Sequence, residues 1–144
     1  MIVFIDDEPD RIEPWIARTR QELGTDPLVL PSADKAQAWI CRSAGLEIDL
    51  LVCDLMLPPT TQMDARRTEF GTRTGLLLVE EFRAIHPAVS VLILTNVLDD
   101  ALVQRIQDPW IRVARKAEML PSRFVEAARE LVEKTRRSRA ARSH

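Results

Sequence analysis

The chain has 144 residues, 46% of them hydrophobic and 29% charged, which suits one domain with an ordinary core and leaves no length for a second. No apolar run approaches the roughly 18 residues of a membrane span, Met1-Ile2-Val3-Phe4 has no basic region ahead of it, and Cys41 and Cys53 have neither metal nor redox spacing, so a cytoplasmic domain with reduced, structural cysteines is expected. The net charge of −2 divides into a body at −7 and a basic tail, 134–144, holding Lys134, Arg136, Arg137, Arg139 and Arg142; the acidic body argues against a nucleic-acid groove, and the tail reads as a solvated, frayed terminus.

The elements follow from apolar runs and their punctuation. Ile2–Ile5 is a first strand closing on Asp6-Asp7, and Pro9 or Pro14 opens a helix whose Ile12, Ile16, Thr19 and Leu23 recur at helical spacing up to Gly24. Leu28-Val29-Leu30 is a second strand, and Ser32 caps a helix carrying Ala36, Trp39 and Ile40 that Gly45 closes. Leu50 to Asp54 is the third strand. The connection from Leu55 to about Thr74 is far longer than the usual two to six residues and reads as an insertion. Leu78, Phe82 and Ile85 mark a helix stopping at Pro87, Val89 to Leu94 a fourth strand ahead of Thr95, and Asp99 to Gln107 a short helix. A fifth strand, Trp110–Ala114, precedes Lys116, and Phe124, Val125, Ala128, Leu131 and Val132 face the core from a last helix.

Strands alternating with helices predict a doubly wound α/β fold of the flavodoxin-like kind: a five-stranded parallel sheet, order 2-1-3-4-5, with five helices. Residues 1–133 form the domain, with 55–74 as the inserted loop and 134–144 as the tail. Ligands in such sheets bind beyond the carboxyl ends of the strands, so Asp6, Asp7, Asp54, Thr95 and Lys116 are expected to meet at one site.

Their chemistry suits phosphoryl transfer. A carboxylate attacks phosphorus only when neighbouring cations offset the crowded negative charge. Asp6, Asp7 and Asp54 supply hard oxygen ligands for Mg²⁺, Lys116 a fixed positive charge, and the Thr95 hydroxyl a donor that a phosphoryl oxygen engages after transfer.

With these residues in order, the chain resembles the receiver domains of two-component response regulators. The matching segments are Val3-Phe4-Ile5-Asp6-Asp7-Glu8-Pro9, Asp49 to Pro58, Val91-Leu92-Ile93-Leu94-Thr95 and Arg115-Lys116. The resemblance implies that Asp54 accepts a phosphoryl group from a histidine kinase or phosphotransfer protein. It further implies that Asp6 and Asp7 bind Mg²⁺ with Asp54, that Thr95 switches a partner-binding face, and that Lys116 provides the counter-charge. With no effector domain expected beside it, the output is expected to be a contact with another, unidentified protein.

Four departures from the family pattern stand out. Ala117 follows Lys116 where proline is usual, Val113 stands where many members carry Tyr or Phe, and Asn96 follows Thr95 where Ala or Gly is usual. The glycine expected about eight residues after the acceptor is Gly75, twenty-one positions on, and the intervening segment holds Arg66, Arg67, Phe70 and Arg73. Those arginines suit an anionic donor and Phe70 a partner's anchor, against the plainer reading of a solvated loop.

Alternatives to the phosphoacceptor reading are a phosphorylation-independent binding module, motivated by Val113, Asn96 and Ala117, and an Mg²⁺-dependent phosphohydrolase. The latter needs a second acid two residues after the nucleophile, where this chain has Met56. His86 before Pro87 is expected to cap a helix or lie at the surface, and Trp15, Trp39 and Trp110 to pack.

Overall fold

The computed structural model describes residues 1–60, 63, 73–96 and 100–143. Five parallel strands, β1 (Ile2–Ile5), β2 (Leu28–Leu30), β3 (Leu50–Asp54), β4 (Ser90–Thr95) and β5 (Ile111–Arg115), form one sheet in the order β2-β1-β3-β4-β5, as the alternation of elements predicts. β1, β3 and β4 are buried along their whole length, which is why they read as unbroken apolar runs.

Alternate residues serve two separate cores. Val3, Ile5, Leu51, Cys53, Val91 and Ile93 face one side, where α2 (Ala33–Cys41) and α3 (Thr74–Ile85) contribute Ala36, Ile40, Leu78 and Phe82. Ile2, Phe4, Leu50, Val52, Leu92 and Leu94 face the other, covered by α1 (Pro9–Leu23) and the C-terminal helix (Pro121–Arg142) through Ile12, Trp15, Ile16 and Phe124.

The expectation of five helices is corrected to four among the described residues. Between β4 and β5 the helical stretch Asp100–Arg105 covers only six residues, and its Ala101, Gln104 and Arg105 are exposed. A stretch under two turns gains few hydrogen bonds for its nucleation cost, and Pro109 prevents its extension into β5. A single 3₁₀ turn, Lys116–Glu118, follows β5.

Local signals account for most boundaries. Pro9 opens α1, Gly24 closes it at φ 64°, and Pro14 lies inside the helix. Ser32 Oγ accepts the Lys35 N–H at 3.2 Å and caps α2, but that helix ends at Cys41, where the Arg42 N–H returns to Trp39 and Ile40; Gly45, at φ 86°, belongs to the turn beyond. β4 and β5 each run one residue further than their apolar runs, which brings Lys116 directly after β5. Leu78, Phe82 and Ile85 mark α3 as expected; the first two are buried, and Ile85, its last residue, is 38% exposed.

The segment 134–144, read as a frayed terminus, is helical as far as Arg142. Thr135 is buried, and its hydroxyl accepts the Ser90 N–H at 2.9 Å. Beyond the sheet the core-facing stripe turns basic: Arg139 donates to the Ile48 carbonyl at 2.9 Å and meets Asp49 at 3.2 Å, while Arg136 meets Asp49 at 3.3 Å. His86, expected to cap a helix or lie at the surface, is the C-cap of α3, its N–H donating to Phe82 O at 2.8 Å, but it is not at the surface: its ring is buried against Phe82, with Nε2 2.8 Å from Ser43 Oγ. No helix of the described residues is long and apolar enough to cross a membrane.

Candidate functional site

The carboxyl ends of β1, β3, β4 and β5 bring the expected residues to one edge of the sheet. Asp6 leaves β1 immediately, its N–H donating to Leu30 O at 3.2 Å, and Asp54 is the last residue of β3. Asp6 and Asp54 are buried and Asp7 is exposed; carboxylate oxygens from all three lie within 4.8 Å of one another.

Lys116 stands between the two buried acids. Its ammonium is 2.8 Å from Asp6 Oδ2 and 3.0 Å from Asp54 Oδ2, and its side chain is 11% exposed. The other oxygen of each acid takes a backbone donor: Asp6 Oδ1 accepts the Glu8 N–H at 2.8 Å, and Asp54 Oδ1 the Met56 N–H at 3.2 Å. Both carboxylates are therefore oriented from two sides. Each donor lies two residues after its acceptor, a local turn that also directs the chain out of the strand.

The electrostatics are finely opposed. Burial pushes the Asp54 carboxyl above its ordinary value, with Asp6 adding to the rise, and the hydrogen bond and charge of Lys116 offset this only in part. Burial also works against the charged form of Lys116, but its bonds to Asp6 and Asp54 outweigh that and hold it above the usual lysine value. The Cys53 thiol is pushed up strongly by burial and by the neighbouring acids, so it stays an unreactive packing group.

Thr95 ends β4 fully buried, one residue beyond Leu94, the register partner of Asp54, and is paired across the sheet with Arg115. Val113 is half-buried against the α2–α3 core. Asn96 is exposed. A pocket of about 220 Å³ opens beside the acids, lined by Glu8, Arg11, Ile12, Trp15, Asn96, Lys116 and Ala117. Arg11 and Trp15 in that lining were not singled out as site residues, because only the packing of α1 against the Lys116 turn brings them there. Trp15 is indeed a packing residue, stacked on Phe124, and its Nε1 donates to Met119 O at 2.7 Å.

Gly75 presses on the acceptor from the side. Its N–H donates to Leu55 O at 2.9 Å, and a Cβ there would fall 2.7 Å from Leu55 Cα and still closer to the Asp54 carbonyl oxygen. The insertion thus begins and ends against the acceptor strand. Its Arg66, Arg67 and Phe70 lie outside the described residues.

The donor set fits a small divalent ion. Every ligand atom is a carboxylate oxygen, the donor type a hard divalent cation such as Mg²⁺ takes, and the three lie within 4.8 Å of one another. Two buried acids and one exposed acid leave an open side for water or a ligand oxygen.

No family model and no curated protein matches the chain. Solved structures do. The signal receiver domain of a putative Luxo repressor protein from Vibrio parahaemolyticus superposes with a TM-score of 0.74 at 17% identity, covering 99% of this chain and 97% of that one. A CheY-like response regulator receiver domain protein from Methanospirillum hungatei JF-1 gives 0.72 at 16% identity, over 95% and 96%. NtrX from Brucella abortus gives 0.71 at 22% identity over 99% of this chain, which spans only 28% of that protein. The chain therefore has the CheY-like receiver fold, with an acidic cluster at the carboxyl edge of its sheet.

Proposed function

We propose that the chain is a phosphoacceptor signalling module in which Asp54 takes a phosphoryl group, with Mg²⁺ held by Asp6, Asp7 and Asp54. The observation that carries this reading is the Lys116 ammonium poised between Asp6 and Asp54 at 2.8 and 3.0 Å, beside a three-carboxylate cluster. Asp54 attacks phosphorus through a carboxylate oxygen, the bond from phosphorus to the donor's leaving group breaks, and an aspartyl phosphate remains. Bound Mg²⁺ supplies Lewis-acid neutralisation of the phosphoryl oxygens. The Met56 N–H keeps the carboxylate in one orientation, and Lys116 contributes a positive charge that needs no reorganisation during the transfer.

The donor is a histidine kinase or phosphotransfer protein, the setting is the cytoplasm, and the output is a contact with another protein. Thr95 is the switch: its hydroxyl engages the phosphoryl group, and this biases the face made by the Asp100–Arg105 stretch and β5. Val113 is smaller than the aromatic residue many receivers carry there, so the relay works through the half-buried β5 side chains rather than a swinging ring. Intact mass after exposure to Mg²⁺ and a small phosphodonor tests the reading, with Asp54→Asn as the control.

A further inference from the structure

The pocket beside the acids has a composition of its own. Ile12 and Trp15 make a floor that is almost wholly buried, while Glu8, Arg11 and Asn96 form an exposed polar rim, and Lys116 closes the inner end against Asp54. At about 220 Å³ it is smaller than the roughly 300–1,000 Å³ of pockets that enclose drug-sized ligands, and it suits a group of a few heavy atoms. Ala117 lines it with a single methyl group.

Its cations are not equally committed. Lys116 is engaged by Asp6 and Asp54. Among the described residues Arg11 pairs with Glu8 alone, at 3.4 Å, with 76% of its side chain exposed, an arrangement that costs little to leave. A planar guanidinium on a flexible stem beside an apolar floor matches a small carboxylate, which it can hold through two hydrogen bonds.

We propose that this pocket is the leaving-group subsite for a small acyl phosphate, with Arg11 as the residue that receives the departing carboxylate. The proposal rests on Asp54 being the phosphoacceptor. An Asp54 carboxylate oxygen forms the new bond to phosphorus, the bond from phosphorus to the acyl oxygen breaks, and the carboxylate leaves with the electron pair. No proton changes hands. Arg11 lines the same pocket as Lys116, whose ammonium is 3.0 Å from Asp54 Oδ2, so in this proposal the guanidinium meets the charge that develops on the leaving oxygen and binds the transition state better than the ground state.

Two donors separate this role from a general effect on the acceptor. Acetyl phosphate releases a carboxylate anion, whereas phosphoramidate releases ammonia, which offers Arg11 no negative charge. Rates of Asp54 phosphorylation, followed by intact mass with Mg²⁺ present, are compared for wild type, Arg11→Gln and Arg11→Lys. The expected result is a fall in the acetyl phosphate to phosphoramidate rate ratio of about fivefold in Arg11→Gln, the scale of one exposed charge contact, with partial recovery in Arg11→Lys. An unchanged ratio overturns the proposal, whether both rates hold or both fall together. Phosphorylation of neither donor's wild-type sample overturns the phosphoacceptor reading itself, and this subsite with it.

Discussion

Gly75 is held against the carbonyl of Asp54, with its own N–H on the next carbonyl, at Leu55, 2.9 Å away. A methyl group there has no room, because the atoms it meets are backbone. Gly75→Ala is expected to destabilise the fold by about 1–3 kcal/mol, the usual cost of overpacking, and to weaken Mg²⁺ binding by tilting the end of β3. Urea unfolding reads the first effect and metal titration the second; a neutral substitution contradicts the contact.

Lys116→Met removes the one cation that meets both buried acids in the described structure. Breaking a buried charge cluster from one side costs about 3 kcal/mol near neutrality. With Lys116 gone, the Asp54 carboxyl rises further above its ordinary value, so the folded state binds more protons than the unfolded chain. The loss therefore shrinks as the pH falls toward 4 and grows as it rises. Urea unfolding across that range checks the sign.

Asp54→Asn acts on the same strain in the opposite direction. Because the fold disfavours the ionised Asp54, a neutral isostere is expected to leave stability at pH 7 equal to or above wild type, by about 1 kcal/mol, while removing the acceptor. Thermal unfolding checks this. A clear drop in melting temperature contradicts the electrostatic account.

His86 predicts a second pH effect at the far side of the molecule. Burial lowers its affinity for a proton, so the unfolded chain protonates first as pH drops. Stability is complete above about pH 6.5, the ordinary histidine value, and declines below it toward the lower folded value. His86→Gln is expected to flatten this slope while retaining a partner for Ser43. An unchanged slope in the variant places the titrating group elsewhere.

The site was legible because its residues sit at the ends of apolar strands, and strand ends survive errors of one residue: β4 and β5 both shifted, yet Thr95 and Lys116 stayed at the same edge. The bond between Ser43 and His86 was not legible, since nothing local links positions 43 residues apart. The role of Arg136 and Arg139 was hidden for a similar reason. Read alone they are part of a basic run; only the overhang of the C-terminal helix beyond the sheet brings them to Asp49. The stretch before β5 is expected as a short helix from Asp99 to Gln107; the described structure gives six helical residues, Asp100–Arg105, with an end that no capping glycine marks in the sequence.

The central claim is that Asp54 accepts a phosphoryl group in a metal-dependent reaction. Intact-mass measurement after incubation with Mg²⁺ and acetyl phosphate tests it most directly, comparing wild type, Asp54→Asn, and wild type with a chelator. The account predicts a gain of about 80 Da, one phosphoryl group, on wild type alone, lost with the variant and with the chelator. No gain on wild type, or an equal gain on Asp54→Asn, contradicts it.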